Sequence, residues 1–263
     1  MRLLLLRHGR TSWNDSGRYQ GHADPDLDAT GTAQAAAVGP VLRAMRPDLV
    51  LSSDLGRCEQ TARAIGLPYR LEPRLREIDI GYWSGLTREE ASVRYPDEEA
   101  AWLRGEDVRR GGGETYEEVG ARAAGAFREL EAAGLAPDGA LVVFVLHGGT
   151  ARSLIGGLLG FDPSLWWHLG PLANCRWSIV RRVENGAYRL AEHNAGPLSL
   201  PSFAAEVALA AGEGRPEVAA AGGADAAGAV DDQLGGGRRA SGLPEQDPPS
   251  SPPQQPVHSR SVS

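Results

Sequence analysis

Apolar positions in this chain follow two alternating periods over roughly its first two hundred residues. Unbroken runs at Leu3–Leu6, in "DLVLSS" (Asp48–Ser53) and in "ALVVFVL" (Ala140–Leu146) read as strands covered on both faces, where alternation is lost. Between them, "TGTAQAAAVGPVLRAM" (Thr30–Met45), "DLGRCEQTARAIG" (Asp54–Gly66) and "GTARSLIGGLLG" read as helices, with Asp54 expected to cap the second. "TREE" at Thr87–Glu90 and "TYEE" at Thr115–Glu118 are capping boxes, the latter opening a helix to about Ala133. "CRWSIVRRV" and "AYRLAEHN" alternate and predict an edge hairpin turning at Glu184-Asn185-Gly186. Strand and helix in alternation predict an α/β fold: a three-layer αβα sandwich with a mostly parallel central sheet.

The pattern stops near Pro201. No aromatic residue follows Phe203, and the text becomes Ala/Gly-rich and then Pro/Ser/Gln-rich. Such composition cannot bury enough apolar surface to offset its ordering entropy. Residues 1–201 are therefore read as one folded domain and 202–263 as a disordered low-complexity tail, with a helical stub at Ser202–Ala211.

Net charge is −7, and more than half of it falls in the tail, so a basic field for nucleic acid is absent. No apolar stretch approaches the roughly 20 residues of a membrane span, and the start lacks a signal peptide. A cytoplasmic protein is expected, with no nucleic-acid or membrane partner. Cys58 and Cys175 lack the spacing of a metal site and read as buried thiols. There is no lysine, so any phosphate clamp must be built from arginine forks.

The chemistry gathers where strands end. Arg7, His8, Thr11, Ser12 and Asn14 all follow Leu3–Leu6 within a few residues. The carboxyl end of a strand in an open α/β sheet is where ligands sit. Donors packed around one histidine suggest an anion site containing a nucleophile.

"RHGRTSWN" at Arg7–Asn14 resembles the signature of the histidine phosphatase superfamily, the phosphoglycerate mutase-like proteins. Four further segments match in the family's order: "GRYQGHAD" (Gly17–Asp24), "SSDLGRCEQTA" (Ser52–Ala62), "LREIDIGYWSGLT" (Leu75–Thr87) and "LHGGTAR" (Leu146–Arg152). The resemblance implies a phosphomonoester hydrolase working through a phosphohistidine on a small phosphorylated metabolite, without metal or other cofactor. It implies His8 as nucleophile, Arg7, Arg57 and His147 around the phosphoryl group, and Glu77 as acid and base. Parallel strands would bring these together, with His8 neutral, His147 cationic in its pairing with the transferred phosphoryl group, and the Gly148-Gly149 amides adding an anion-binding helix end. Substrate contacts are expected from Arg7, Asn14, Gln20, Gly21, Arg57 and Gly148. Arg10, Arg109 and Arg110 are further candidates, the last two for a second anionic group.

Each assignment has a plainer competitor. Glu77 could be a surface carboxylate paired with Arg76, and Asp79, two residues on, competes for its role. Asn14 could only cap a turn. His22, His168 and His193 read as structural, and Trp166-Trp167 as core or pocket rim. A cofactor-dependent phosphoglycerate mutase and a non-catalytic phospholigand-binding module are the alternative functions. The connection from Glu77 to His147 looks short for a mutase, which must exclude water from its intermediate. Monomer and homodimer are both open.

Overall fold

The computed structural model describes residues 1–197; the tail reading and the Ser202–Ala211 helix lie outside the described residues. The elements in order are β1 (Arg2–Arg7), α1 (Ser12–Asp15), α2 (Ala29–Ala44), β2 (Leu49–Ser52), α3 (Gly56–Ile65), β3 (Arg70–Leu71), α4 (Arg88–Arg94), α5 (Pro96–Leu103), α6 (Tyr116–Ala132), β4 (Leu141–Leu146), α7 (Gly148–Leu159), β5 (Trp177–Arg182) and β6 (Tyr188–Ala195). One six-stranded sheet runs β3-β2-β4-β1-β5-β6. The first four strands are parallel; β5 and β6 run antiparallel and form the expected edge hairpin.

Strand β1 is central because its side chains are apolar on both faces. Leu3 and Leu5 point into a cluster with Ala123 and Phe127 of α6 and Leu154 and Ile155 of α7. Leu4 and Leu6 point the other way, onto Val38 and Leu42 of α2 and Cys58 and Ile65 of α3. All four leucines are fully buried, each contributing about 1.5–3 kcal/mol of transfer free energy. The three layers follow directly. A third apolar cluster, around Trp83, Trp102, Tyr116 and Trp166, lies outside the sandwich and builds the region of α4 and α5.

Register brings the strand ends level. Arg7 pairs with Leu146, and Ser52 with Val145, so β1, β2 and β4 finish side by side. The loop leaving β1 passes directly over the first turn of α2. A Cβ on Gly9 would sit 2.5 Å from the Gly31 carbonyl oxygen, which is why glycine follows the histidine.

Both capping boxes form, Thr87 with Glu90 and Thr115 with Glu118. Asp54 does not cap α3. The N-cap is Leu55, without a side-chain bond, and Asp54 instead takes a bidentate grip from Arg76 at 2.7 and 2.5 Å. A charge-assisted fork outcompetes a neutral capping bond.

Candidate active site

His8 lies just past β1 and is 2% exposed. Its Nδ1 is 2.8 Å from its neighbour's carbonyl oxygen on Gly9. A carbonyl only accepts, so Nδ1 carries the hydrogen and Nε2 keeps its lone pair. Burial first, then Arg57 and Arg7, hold the imidazole well below the ordinary histidine range. The ring is neutral at pH 7, as nucleophilic attack requires.

The backbone around it is fixed from a distant segment. The His8 carbonyl accepts from Asn174 Nδ2 at 3.0 Å and from the Cys175 amide at 3.2 Å, and that amide also reaches Arg7 O at 3.1 Å. Cys175 sits in the left-handed region at φ 53°, strain that a non-glycine residue bears where surroundings over-determine it.

Two guanidinium groups flank the histidine. Arg7 donates to Leu172 O at 2.6 Å. Arg57, fully buried in the first turn of α3, donates to Gly21 O (2.9 Å) and Ala23 O (2.7 Å) and lies 3.4 Å from Asp24. Backbone carbonyls orient both groups toward the histidine, and Asp24 lies beside Arg57.

His147 caps the N-terminal end of α7, its ring centroid 5.2 Å from that of His8. It is fully buried, and the pocket is walled by His8 rather than by His147. Its Nε2 is 2.9 Å from Ser53 Oγ and 3.3 Å from Cys58 Sγ. Burial, then Arg57, His8 and Arg7, lower its pKa far below the usual range. With no phosphoryl group beside it, the ring is therefore neutral. Burial also pushes the Cys58 thiol up, so it stays protonated beside the imidazole.

Glu77 is not a surface partner of Arg76. Its Oε2 accepts the Gly149 amide at 3.1 Å; its Oε1 accepts the Thr150 amide at 3.0 Å and the Thr150 hydroxyl at 3.2 Å. The N-terminal end of α7, expected to hold the substrate's anion, already holds this carboxylate. Arg122 in α6 clamps the segment: it donates to the carbonyls of Arg74 (2.7 Å), Arg76 (2.8 Å) and Glu77 (2.8 Å) and pairs with Glu114. His22 Nε2 adds a bond to Glu77 O at 2.8 Å. Asp79, the competitor, accepts from the Gly81 amide and does not line the pocket.

One pocket of about 70 Å³ collects Arg7, His8, Gln20, Gly21, Arg57, Glu77, Gly148 and Arg110, all sequence-predicted. At about 10–15 Å³ per water, that space takes several water-sized groups. Arg18 and Arg152 line it as well.

Three predicted contacts fall elsewhere. Arg10 is spent on Asp28 (2.8 Å) and Asp15 (2.6 Å). Arg109 is exposed and pairs with Glu118. Asn14 completes the Thr11 capping box of α1 and accepts from Asn174 Nδ2, so its amide serves the loop rather than the pocket. In each case a nearby partner satisfies the side chain before a ligand could.

Arg122, Ser53, Thr150 and Asn174 were not picked out from the sequence. Arg122 had a signal: it stands three residues after Val119 and four before Ala126, on the buried stripe of α6. An arginine there needs buried acceptors.

The sequence profile of the histidine phosphatase superfamily (branch 1) matches residues 3–195. Among curated proteins, a glucosyl-3-phosphoglycerate phosphatase of Mycolicibacterium vanbaalenii is 37% identical over 184 residues, covering 67% of this chain and 82% of the relative. Phosphoserine phosphatase 1 of Hydrogenobacter thermophilus is 34% identical, covering 70% and 88%. Among solved structures, a mycobacterial glucosyl-3-phosphoglycerate phosphatase complexed with VO3 superposes with a TM-score of 0.68 at 34% identity, covering 74% of this chain and 99% of that one.

Proposed function

This chain belongs to the histidine phosphatase superfamily, and from that membership we propose a phosphomonoester hydrolase in which His8 carries the phosphoryl group between two half-reactions. The observation that carries the assignment is the hydrogen bond from His8 Nδ1 to Gly9 O. It fixes one tautomer and leaves the Nε2 lone pair for phosphorus.

In the first step a bond forms from Nε2 to phosphorus and the ester P–O bond breaks. Glu77 gives its proton to the leaving oxygen. Arg7 and Arg57 neutralise the equatorial oxygens as charge moves onto them. His147 packs behind His8, anchored by Ser53; a bound phosphoryl monoanion can lend it a proton, which returns to the phosphate before the product leaves. In the second step water attacks phosphorus, its proton passes to Glu77, and the P–N bond breaks to restore neutral His8. One carboxylate serves both steps, and the cycle is balanced.

The reading takes a small phosphorylated metabolite as substrate and the cytoplasm as its place of action; the relatives above act on glucosyl-3-phosphoglycerate and phosphoserine by name. No helix among the described residues is long and apolar enough to cross a membrane. Hydrolysis is favoured over mutase chemistry by the cover: α4 and α5 have only seven and eight residues. A mutase must shield its phosphohistidine from water.

The deciding assay supplies 3-phosphoglycerate with its bisphosphorylated primer, beside a panel of phosphorylated metabolites. Release of inorganic phosphate should outrun interconversion to 2-phosphoglycerate. Efficient interconversion with negligible free phosphate would establish the mutase. Binding without either reaction would establish a phospholigand sensor.

A further inference from the structure

Residues 76–80, which carry Glu77, belong to neither helix nor strand. Backbone of that kind has no ladder bonds to set its place, so its polar groups take their position from other partners. Two donors converge on the Glu77 carbonyl. Arg122 Nη2 comes from α6 at 2.8 Å, and His22 Nε2 comes from residues 21–24 at the same distance. A carbonyl only accepts, so Nε2 of His22 carries the hydrogen.

The strip that supplies His22 also holds Arg57. Gly21 O and Ala23 O accept from the guanidinium at 2.9 and 2.7 Å, and the Asp24 carboxylate lies 3.4 Å from it. Asp24 also accepts the Gly56 amide at 2.7 Å, which fixes the strip to the first turn of α3. Just upstream, Tyr19 exchanges backbone bonds with Gly85 (2.8 Å) and Leu86 (2.9 Å). Three of the four residues in the strip thus turn a polar group to Arg57. The one between them, His22, turns its ring to Glu77. His22 does not line the pocket itself, so any effect it has on the reaction passes through its neighbours.

We infer that His22 is a positioning residue, which ties the carboxylate-bearing segment to the strip that orients Arg57. It would fix the span between the group that neutralises the phosphoryl oxygens and the group that protonates the leaving oxygen. The inference rests on the phosphatase reading for the roles of Arg57 and Glu77, and it adds the link that keeps them in step. Arg122 secures the same carbonyl from α6 but has no bond to the strip among those described, so it cannot replace this link.

The test compares His22→Gln with His22→Asn in the full chain. The glutamine amide nitrogen reaches the place of Nε2, whereas asparagine is one methylene short. His22→Asn should lower kcat about 10-fold for an alkyl phosphate, as a sub-ångström to 1 Å misplacement implies, and less for an aryl phosphate. His22→Gln should keep most of the wild-type rate. Inhibition by inorganic phosphate should hold in both variants, because Arg57 keeps its carbonyls. On a Glu77→Gln background, the same His22→Asn change should cost less than about 2-fold, since its effect is carried by the carboxylate. His22→Phe, which keeps a ring and loses the donor, is the second variant and should follow His22→Asn. Equal losses on both backgrounds, equal losses for both esters, or variants as fast as wild type would overturn the inference and leave His22 a packing residue. A wild type that interconverts phosphoglycerates without releasing phosphate would end the hydrolase reading alone, and the same cycle is then read on interconversion. A wild type with neither activity would end both.

Discussion

Gly149 and Glu77 meet so closely that a side chain at the first position would have to displace the second. The amide of Gly149 donates to Oε2 at 3.1 Å, and a Cβ on Gly149 would stand 2.7 Å from Oε1. The carboxylate is thus set by the backbone of α7 and by a missing methyl group. Gly149→Ala should displace Glu77 while leaving the rest of the pocket in place. We expect kcat to fall about 10–100-fold, in keeping with disturbed acid–base catalysis, with a smaller change in KM. Glu77→Gln should fall further, and in both variants aryl phosphates should suffer less than alkyl phosphates, because a good leaving group needs little protonation. Equal losses across leaving groups would remove Glu77 from the acid's role.

Phosphorylated His8 should be trapped by quenching at alkaline pH during turnover and located by mass spectrometry. His8→Ala should lose at least about 10³-fold in kcat, since among the described residues no other histidine lines the pocket. A phosphate mapped to His147 instead would reverse the two histidines' roles.

The buried histidines make stability depend on pH in a definite direction. His8 and His147 are both held below the usual 6.5, and His193 is lowered to a lesser degree by burial. Unfolding returns each to its ordinary value. Below pH 6.5 the unfolded chain therefore binds more protons than the native one, and stability is lost as pH falls. The slope is about 1.4 kcal/mol per pH unit for each histidine. Thermal midpoints should be level above pH 7 and drop between about pH 6.5 and 5, before carboxylates enter. His147→Gln should flatten that limb measurably; an unchanged limb would show that His147 is not held neutral. For the same reason, the acid limb of kcat/KM should lie well below 6.5.

Arg122 should behave as a positioning residue for Glu77. Arg122→Met removes three bonds to the carbonyls of residues 74, 76 and 77 and its pairing with Glu114. The expected cost is about 2–3 kcal/mol of stability. Beyond that, the folded variant should show the leaving-group dependence of Glu77→Gln in weaker form, with partial rescue in Arg122→Lys. A variant that loses stability alone would make the clamp purely structural.

The layered fold was legible because its signal is local. Leu3–Leu6 and Leu141–Leu146 are apolar on both faces, and such runs have few other ways to fold. The convergence of His8, Arg57, Glu77 and His147 on one region was legible from motifs that close at strand ends. Competition among polar partners was not. Whether Arg10 meets Asp28 or a substrate, and whether Asp54 caps a helix or binds Arg76, depends on residues brought near only by the tertiary fold. The neutral state of His147 in the absence of a phosphoryl group was not legible for a similar reason. It is set by burial and by two arginines distant in sequence, and composition carries no trace of either.

The order of strands in the sheet also has a consequence for how the molecule comes into being. β1 hydrogen-bonds with β4 and β5, both of which lie far down the chain. At about 5–20 residues per second, on the order of ten seconds of synthesis separate Leu3–Leu6 from the strands that flank them. Through that interval both edges of β1 lack their partner strands, and Leu3 and Leu5 lack the α6 and α7 residues they pack on, while only α2 and α3 are available to Leu4 and Leu6. Nascent chains should therefore occupy a chaperone until β4 emerges, and release should coincide with the appearance of a competent site. A truncation before β5 would leave a sticky, inactive product rather than a weaker enzyme.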